Sequence, residues 1–246
     1  MHAKPSQQGD YPGVVVINFG DFDDVPGLEI ISDGVSTTTL GSIAIGRQGR
    51  FLLWGFTADP EGLTPVGREL FLSSVRYLFR KRASKTIPFA CHTRHYLKFR
   101  CDSVLETIRE KSPRAEDIRK AFEEILKPAA RAEVQKLKPE EYGRWLEENF
   151  AYIVGDPSSA SRHKEVYDVD ADARALRTPN NKLESLKTWV GLLNGDEGAR
   201  ARRCLDRYVG DVEGGWAAWL EKNAARILFC DSAGFKFIED PTRDEK

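Results

Sequence analysis

Apolar positions follow two rhythms along the chain, and the change between them falls near residue 60. Before it they come as short runs separated by glycine, the pattern of buried strands. Val14-Val15-Val16-Ile17 is the first run, Leu28 to Ile31, closed by Asp33-Gly34, the second, and Ser42 to Ile45 the third. Gly46-Arg47-Gln48-Gly49 supplies turn residues before Arg50 to Phe56, so the last two runs read as a hairpin. Its polar, glycine-rich tip is expected to project into solvent. Beyond it the helical period takes over. Thr64 suits an N-cap and Pro65 the first helical position, where a missing N–H costs nothing. Val66, Leu70, Phe71, Val75 and Leu78 share one broad stripe, expected to cover the sheet, and Arg80 favours the negative end of the helix dipole. Trp54 is placed under this helix, within reach of Phe71 and Val75. Leu53 and Trp54 alternate faces, so both are buried only if their strand is covered on two sides.

The rest of the chain is read as mainly helical. Ser112-Pro113 opens a segment with Ile118, Ala121, Phe122, Ile125 and Leu126 on one face. Pro128 starts a second helix or kinks the first, and Pro139 opens another that buries Tyr142, Trp145, Leu146 and Phe150. Residues 155–164 are the most linker-like stretch. Thr178-Pro179 repeats the capping pattern ahead of Leu183, Leu186, Val190 and Leu193, with Trp189 on the flank and Asn194-Gly195 as a stop. A helix from Asp196 buries Cys204, Leu205 and Tyr208 and ends at Gly210; Trp216 to Ala225 form the next. Ile227 to Phe229 and Phe235 to Ile238 flank Asp231-Ser232-Ala233-Gly234 as a terminal hairpin. Trp145-Leu146-Glu147-Glu148-Asn149 matches Trp219-Leu220-Glu221-Lys222-Asn223, with Ile153 and Ile227 at the same offset. The plainer reading is a shared helix-to-strand corner, since two copies do not make a solenoid.

Composition narrows the class. Of 246 residues, 41% are hydrophobic and 30% charged, which places the chain among soluble globular proteins and excludes a membrane protein or a wholly disordered chain. The net charge is −1, so no global field draws the chain to nucleic acid or an anionic membrane. Charge is uneven, however. Residues 83–164 carry 16 basic against 13 acidic residues, whereas residues 165–246 carry 13 against 16. Four cysteines without a C-x-x-C pair make neither a disulfide scaffold nor a zinc ribbon. The first residues lack an apolar signal region, so the expected location is cytoplasmic, or exported if the chain is a fragment of a longer secreted protein.

Four features carry candidate chemistry. Asp21, Asp23 and Asp24 follow the first strand, where ligands bind in open α/β sheets, and carboxylates there suit a divalent cation; the bland reading is an acidic turn. Trp54 is a platform for a sugar ring or, more simply, core. Cys91, His92, His95 and Cys101 are zinc-ligand types, but their spacing matches no standard site, so no metal and no cofactor are expected. Residues 80–101 hold Arg80, Lys81, Arg82, Lys85, Arg94, Lys98 and Arg100 with no acid, interleaved with Phe89, Tyr96 and Phe99. That mixture suits single-stranded nucleic acid, although a solvated connector is the simpler reading in a chain that is not basic overall.

One stretch resembles a known family. Ile45-Gly46-Arg47-Gln48-Gly49, Leu53-Trp54-Gly55-Phe56, and Thr64 with Arg68, Phe71 and Val75 are similar to the C-terminal end of a ThuA-like domain of the class I glutamine amidotransferase-like superfamily. The resemblance implies the last strand pair and last helix of a flavodoxin-like sheet. Leu205, Arg207 and Tyr208, the Trp216-x-x-Trp219 run and Phe235-Lys236-Phe237 look like the tail of large planctomycete-type proteins that carry such domains. A complete superfamily domain has several strand–helix units before its final hairpin, and no G-x-C-x-G or G-x-S-x-G nucleophile elbow occurs here. No catalytic residue is carried over. The expected fold is therefore α/β, a partial flavodoxin-like sheet in residues 1–82, followed by a helical middle region (83–164) and a helical C-terminal module with a terminal hairpin (165–246). The expected function is a non-catalytic structural or interaction module, with a homo-oligomer or an upstream polypeptide covering the incomplete sheet. An accessory part of a hydrolase or carbohydrate-acting protein is the alternative, and weak nucleic-acid binding through residues 80–101 the third. Membrane and nucleic acid are not the expected partners.

Overall fold

The computed structural model describes residues 25–35, 40–56, 60–81, 85–87, 90–159 and 166–240. The expected strand at Val14–Ile17 and the aspartates Asp21, Asp23 and Asp24 lie outside them. The fold is mixed α/β, and the chain divides into two compact units, residues 88–240 and the remainder.

In the N-terminal unit, β1 (Leu28–Val35), β2 (Leu40–Gln48) and β3 (Phe51–Trp54) form one sheet in the order β1-β2-β3. Both pairings are antiparallel, with Leu28 opposite Gln48 and Ile45 opposite Trp54. The parallel arrangement of a flavodoxin-like sheet is not seen among the described strands. The hairpin tip stands only partly in solvent: Arg50 is exposed, but Arg47 is buried and its guanidinium donates to the Gly49 carbonyl at 2.8 Å. Gly49 has φ +55°, and a Cβ there would collide with the Lys85 backbone, so the turn needs glycine twice over.

Helix α1 (Pro65–Arg80) starts as the sequence predicts, with the Thr64 hydroxyl accepting from the Gly67 N–H at 3.2 Å. Its orientation differs from expectation. Gly67 and Ser74 are its buried residues and Phe71 and Leu78 are half-buried, whereas Val66, Leu70 and Val75 face solvent. The positions that are buried are thus small ones, and periodicity of the large side chains did not set the buried face. Trp54 and Leu53 are each half-buried, so the strand is not enclosed on two sides. Trp54 packs edge-on against Phe71 with ring centroids 5.1 Å apart.

The C-terminal unit holds α2 (Arg94–Arg109), α3 (Ala115–Glu124), α4 (Pro128–Val134), α5 (Tyr142–Asn149), β4 (Ile153–Gly155), β5 (Tyr167–Val169), α6 (Ala171–Ala175), α7 (Leu183–Leu192), α8 (Gly198–Tyr208), α9 (Gly215–Asn223), β6 (Ile227–Cys230) and β7 (Lys236–Glu239). A single apolar cluster runs through it, from Leu97 and Phe122 to Trp189, Leu205 and Phe237. The middle and C-terminal stretches thus share one core. Pro128 opens α4 at its first position, as its chemistry favours. Thr178-Pro179 does not cap α7, which begins at Leu183. The Thr178 hydroxyl instead accepts from the Trp189 indole N–H at 2.7 Å. Trp189 is fully buried rather than on a flank, stacked on Tyr208 at 5.2 Å.

The two matching pentapeptides occupy matching corners. α5 and α9 each pass through a 3₁₀ turn, Phe150–Tyr152 and Ala224–Arg226, into β4 and β6. Asn149 and Asn223 each donate to the carbonyl four residues back at 2.8 Å. Each hairpin is closed by an aspartate N–H, Asp170 to the Tyr152 carbonyl at 2.8 Å and Asp240 to the Arg226 carbonyl at 2.6 Å.

Candidate functional site

Several places gather polar side chains, among them buried Glu123 with Arg119, Gln135 and Tyr142; three others bear on function. The first is a buried network in the C-terminal unit. Arg94, at the start of α2, is 3% exposed, and its Nε and Nη2 grip both carboxylate oxygens of Asp231 at 2.8 and 2.9 Å. The Arg94 backbone N–H donates to the same carboxylate at 2.9 Å, so Asp231 serves the N-terminus of α2 from across the unit. Arg94 also donates to the Phe150 carbonyl at 3.0 Å and to Asn180 Oδ1 at 3.1 Å. Phe150, Phe229 and Phe235 lie within 5.8 Å of its guanidinium, an arrangement that favours a cation over ring faces. Asn180 then donates to the Ile153 carbonyl and, at 3.0 Å, to the Tyr208 hydroxyl, which donates to Asp170 at 2.5 Å. Arg207 pairs with the same Asp170 oxygen that accepts from Tyr208. Burial, reinforced by Asp170, pushes the Tyr208 phenol well above its ordinary range, so it remains a proton donor. A guanidinium with this many partners has little left to offer a ligand. The network clamps distant segments together.

The second is a cleft of about 460 Å3 between α2 and α5. Leu105, Leu146 and Phe150 supply its apolar surface, and Lys98, Asp102 and Glu147 its charges. Lys98 and Asp102 pair at 2.5 Å one turn apart. Its lining contains no hydroxyl or thiol. His95 lines it with its ring edge-on to Phe150 at 5.4 Å.

The third is in the N-terminal unit. Glu29 accepts from Arg47 Nε at 2.9 Å and from the Tyr77 hydroxyl at 2.5 Å, tying β1 and β2 to α1. Burial alone would raise the Glu29 carboxyl, but the bonds from Tyr77 and Arg47 outweigh it and hold the group below its ordinary range. Beside this tie, α1 displays Leu72, Val75 and Phe79, which are 50%, 44% and 65% exposed.

The sequence-predicted candidates fare unevenly. Trp54 sits between Phe56 and Phe71, with ring centroids 4.9 and 5.1 Å away. The basic stretch 80–101 is split between the two units, and its Arg94 is consumed by Asp231. Cys91 and Cys101 are buried, and burial pushes both thiols up to about 12. The His92 ring lies against Tyr96 at 4.6 Å. Among the described residues no three His, Cys, Asp or Glu side chains are grouped to hold a metal ion. No described helix is long and apolar enough to cross a membrane. Reading the sequence missed the Arg94–Asp231–Asn180 network. The only local hint was an aspartate in the Asp231-Ser232-Ala233-Gly234 turn, whose partner lies 137 positions away. No family model, curated protein or solved structure matches the chain.

Proposed function

We propose that the chain is a non-catalytic interaction module whose N-terminal unit is the end of an incomplete ThuA-like domain. In this reading β2, β3 and α1 are the last strand pair and last helix of a flavodoxin-like sheet, an order supported by the Trp54–Phe71 contact between the hairpin and the helix. One observation carries the functional part. Of the nine exposed large hydrophobic side chains among the described residues, all but Phe99 belong to the N-terminal unit. Soluble monomers rarely leave contiguous apolar surface uncovered unless something binds it. The C-terminal unit acts as scaffold, its buried charges satisfied internally.

The test is binding of the dye 8-anilinonaphthalene-1-sulfonate to the native full chain. Wild-type protein should enhance its fluorescence, and Leu72→Glu with Phe79→Glu should abolish most of the enhancement while circular dichroism and melting temperature stay unchanged. No enhancement by wild-type protein, or enhancement indifferent to the two substitutions, would refute the reading.

A further inference from the structure

We propose that the cleft between α2 and α5 binds a small organic amine, with its apolar body on the floor of the cleft and its ammonium at Glu147. Every described residue that lines the cleft belongs to the C-terminal unit, so the site is independent of the apolar surface of the N-terminal unit. Two helical stripes build it. α2 contributes His95, Lys98, Asp102 and Leu105, at i, i+3, i+7 and i+10. α5 contributes Gly143, Leu146 and Glu147, at i, i+3 and i+4, with Phe150 just past its end. Leu146 is buried, and Leu105 and Phe150 are half-buried, so apolar carbon forms the floor. At Gly143 the wall is backbone alone, and a Cβ there would come within 3.2 Å of Leu105 Cδ1. The volume, about 460 Å3, falls in the range of about 300–1,000 Å3 that ligand pockets occupy.

Charge selects the ligand. Two carboxylates, Asp102 and Glu147, line the cleft with one ammonium, Lys98. Lys98 is already spent on Asp102 Oδ2 at 2.5 Å. Glu147 is exposed and has no hydrogen bond or ion pair among the described residues. A cation thus finds a carboxylate with no competing partner, whereas an anion meets two carboxylates and a lysine already engaged. A neutral molecule gains the floor but leaves Glu147 unpaired. A protein segment is the poorer occupant. Protein interfaces need a wider apolar core than one pocket, and among the described residues this unit exposes a single large hydrophobic side chain, Phe99, whose ring lies beside Tyr96. A small molecule needs only the cleft.

The experiment titrates the isotopically labelled full chain with phenylbutylamine, phenylbutanol and phenylbutyrate, three probes that share one apolar body. Nuclear magnetic resonance follows the Gly143 amide and the Leu105 and Leu146 methyl groups. All of these should shift with phenylbutylamine, whose dissociation constant should lie at least about fivefold below that of phenylbutyrate, with phenylbutanol between them. Glu147→Gln, a change at an exposed position, should bring the three constants within about twofold of one another. Gly143→Met, whose side chain would occupy the cleft, should abolish the shifts at Leu105 and Leu146 while circular dichroism stays native; if that variant does not fold, Glu147→Gln alone decides. Absence of shifts with every probe, shifts confined to residues outside the cleft, or shifts that persist in natively folded Gly143→Met overturn the site. Equal binding of the three probes, or a preference for the amine that survives Glu147→Gln, overturns the amine. The dye result on the N-terminal unit is read separately, so either reading can fail while the other stands.

Discussion

Trp189 and Trp54 are treated in opposite ways, and the two compact units differ in the same respect. Trp189 has no exposed surface, stacks on Tyr208 and gives its N–H to Thr178. Trp54 is half-buried and leans on two phenylalanines. Around Trp189 the unit encloses tyrosines, tryptophans and a charged network without help. In α1, whose Phe71 packs on Trp54, the buried residues are Gly67 and Ser74, small residues that bury little apolar area. Val66, Leu70, Leu72, Val75 and Phe79 are left exposed.

The largest effects should come from the enclosed unit. Arg94→Met strands the Asp231 carboxylate in the core and should cost about 3–5 kcal/mol, a large share of that unit's net stability, seen as a clear fall in its melting temperature. Arg94→Met with Asp231→Leu should recover much of the loss, because no charge is then buried unpaired. A melting temperature near wild type for the single variant would show that water reaches the pair. The tryptophans should differ next. Trp189→Ala should cost about 3–5 kcal/mol, and Trp54→Ala only about 1–2 kcal/mol, in proportion to a side chain already partly in water. Equal costs in denaturant titrations would erase the distinction between the units.

How much of this was legible in the sequence depended on distance along the chain. Short-range chemistry was readable. Thr64-Pro65 caps α1, Pro128 opens α4, α7 and α8 stop near Gly195 and Gly210, and both the β2–β3 and β6–β7 hairpins form where the turn residues stand. Where two faces of a helix were both plausible, periodicity could not choose. Val66, Leu70 and Val75 looked like the buried stripe, and the deciding residues, Gly67 and Ser74, carry no hydrophobic signal. Long-range pairings were invisible for a related reason. Nothing local announces that the β6–β7 tip is buried, with the Ser232 carbonyl accepting from the Ala90 N–H at 2.7 Å. The arginine it helps to hold looked like one more member of a basic run.

Smaller effects sharpen the contrast. All four cysteines lie in the enclosed unit and are buried, with three thiols pushed up to about 12 by that burial. Iodoacetamide at neutral pH should label none of them in native protein and all four in denaturant, as thiolate is the reactive form; rapid native labelling would show that the core opens. In the N-terminal unit, Glu29 is held below its ordinary range, so its bonds to Tyr77 and Arg47 stabilise above the unfolded value near 4.5 and are lost as pH falls through the lower folded value. Glu29→Gln should flatten the acid limb of the stability profile and also weaken the alkaline limb, because the Glu29 carboxylate, after burial, helps to raise the Tyr77 phenol. An unaltered acid limb would mean the tie contributes nothing.

The central claim is that one unit is closed while the other keeps apolar side chains in water, and carbene footprinting of the native full chain tests it most directly. The account predicts heavy labelling of Phe51 and Phe79, intermediate labelling of Trp54, and near-complete protection of Trp189, Tyr142 and Tyr208. Protection of Phe79 as complete as that of Trp189 in the isolated, monomeric protein would contradict it.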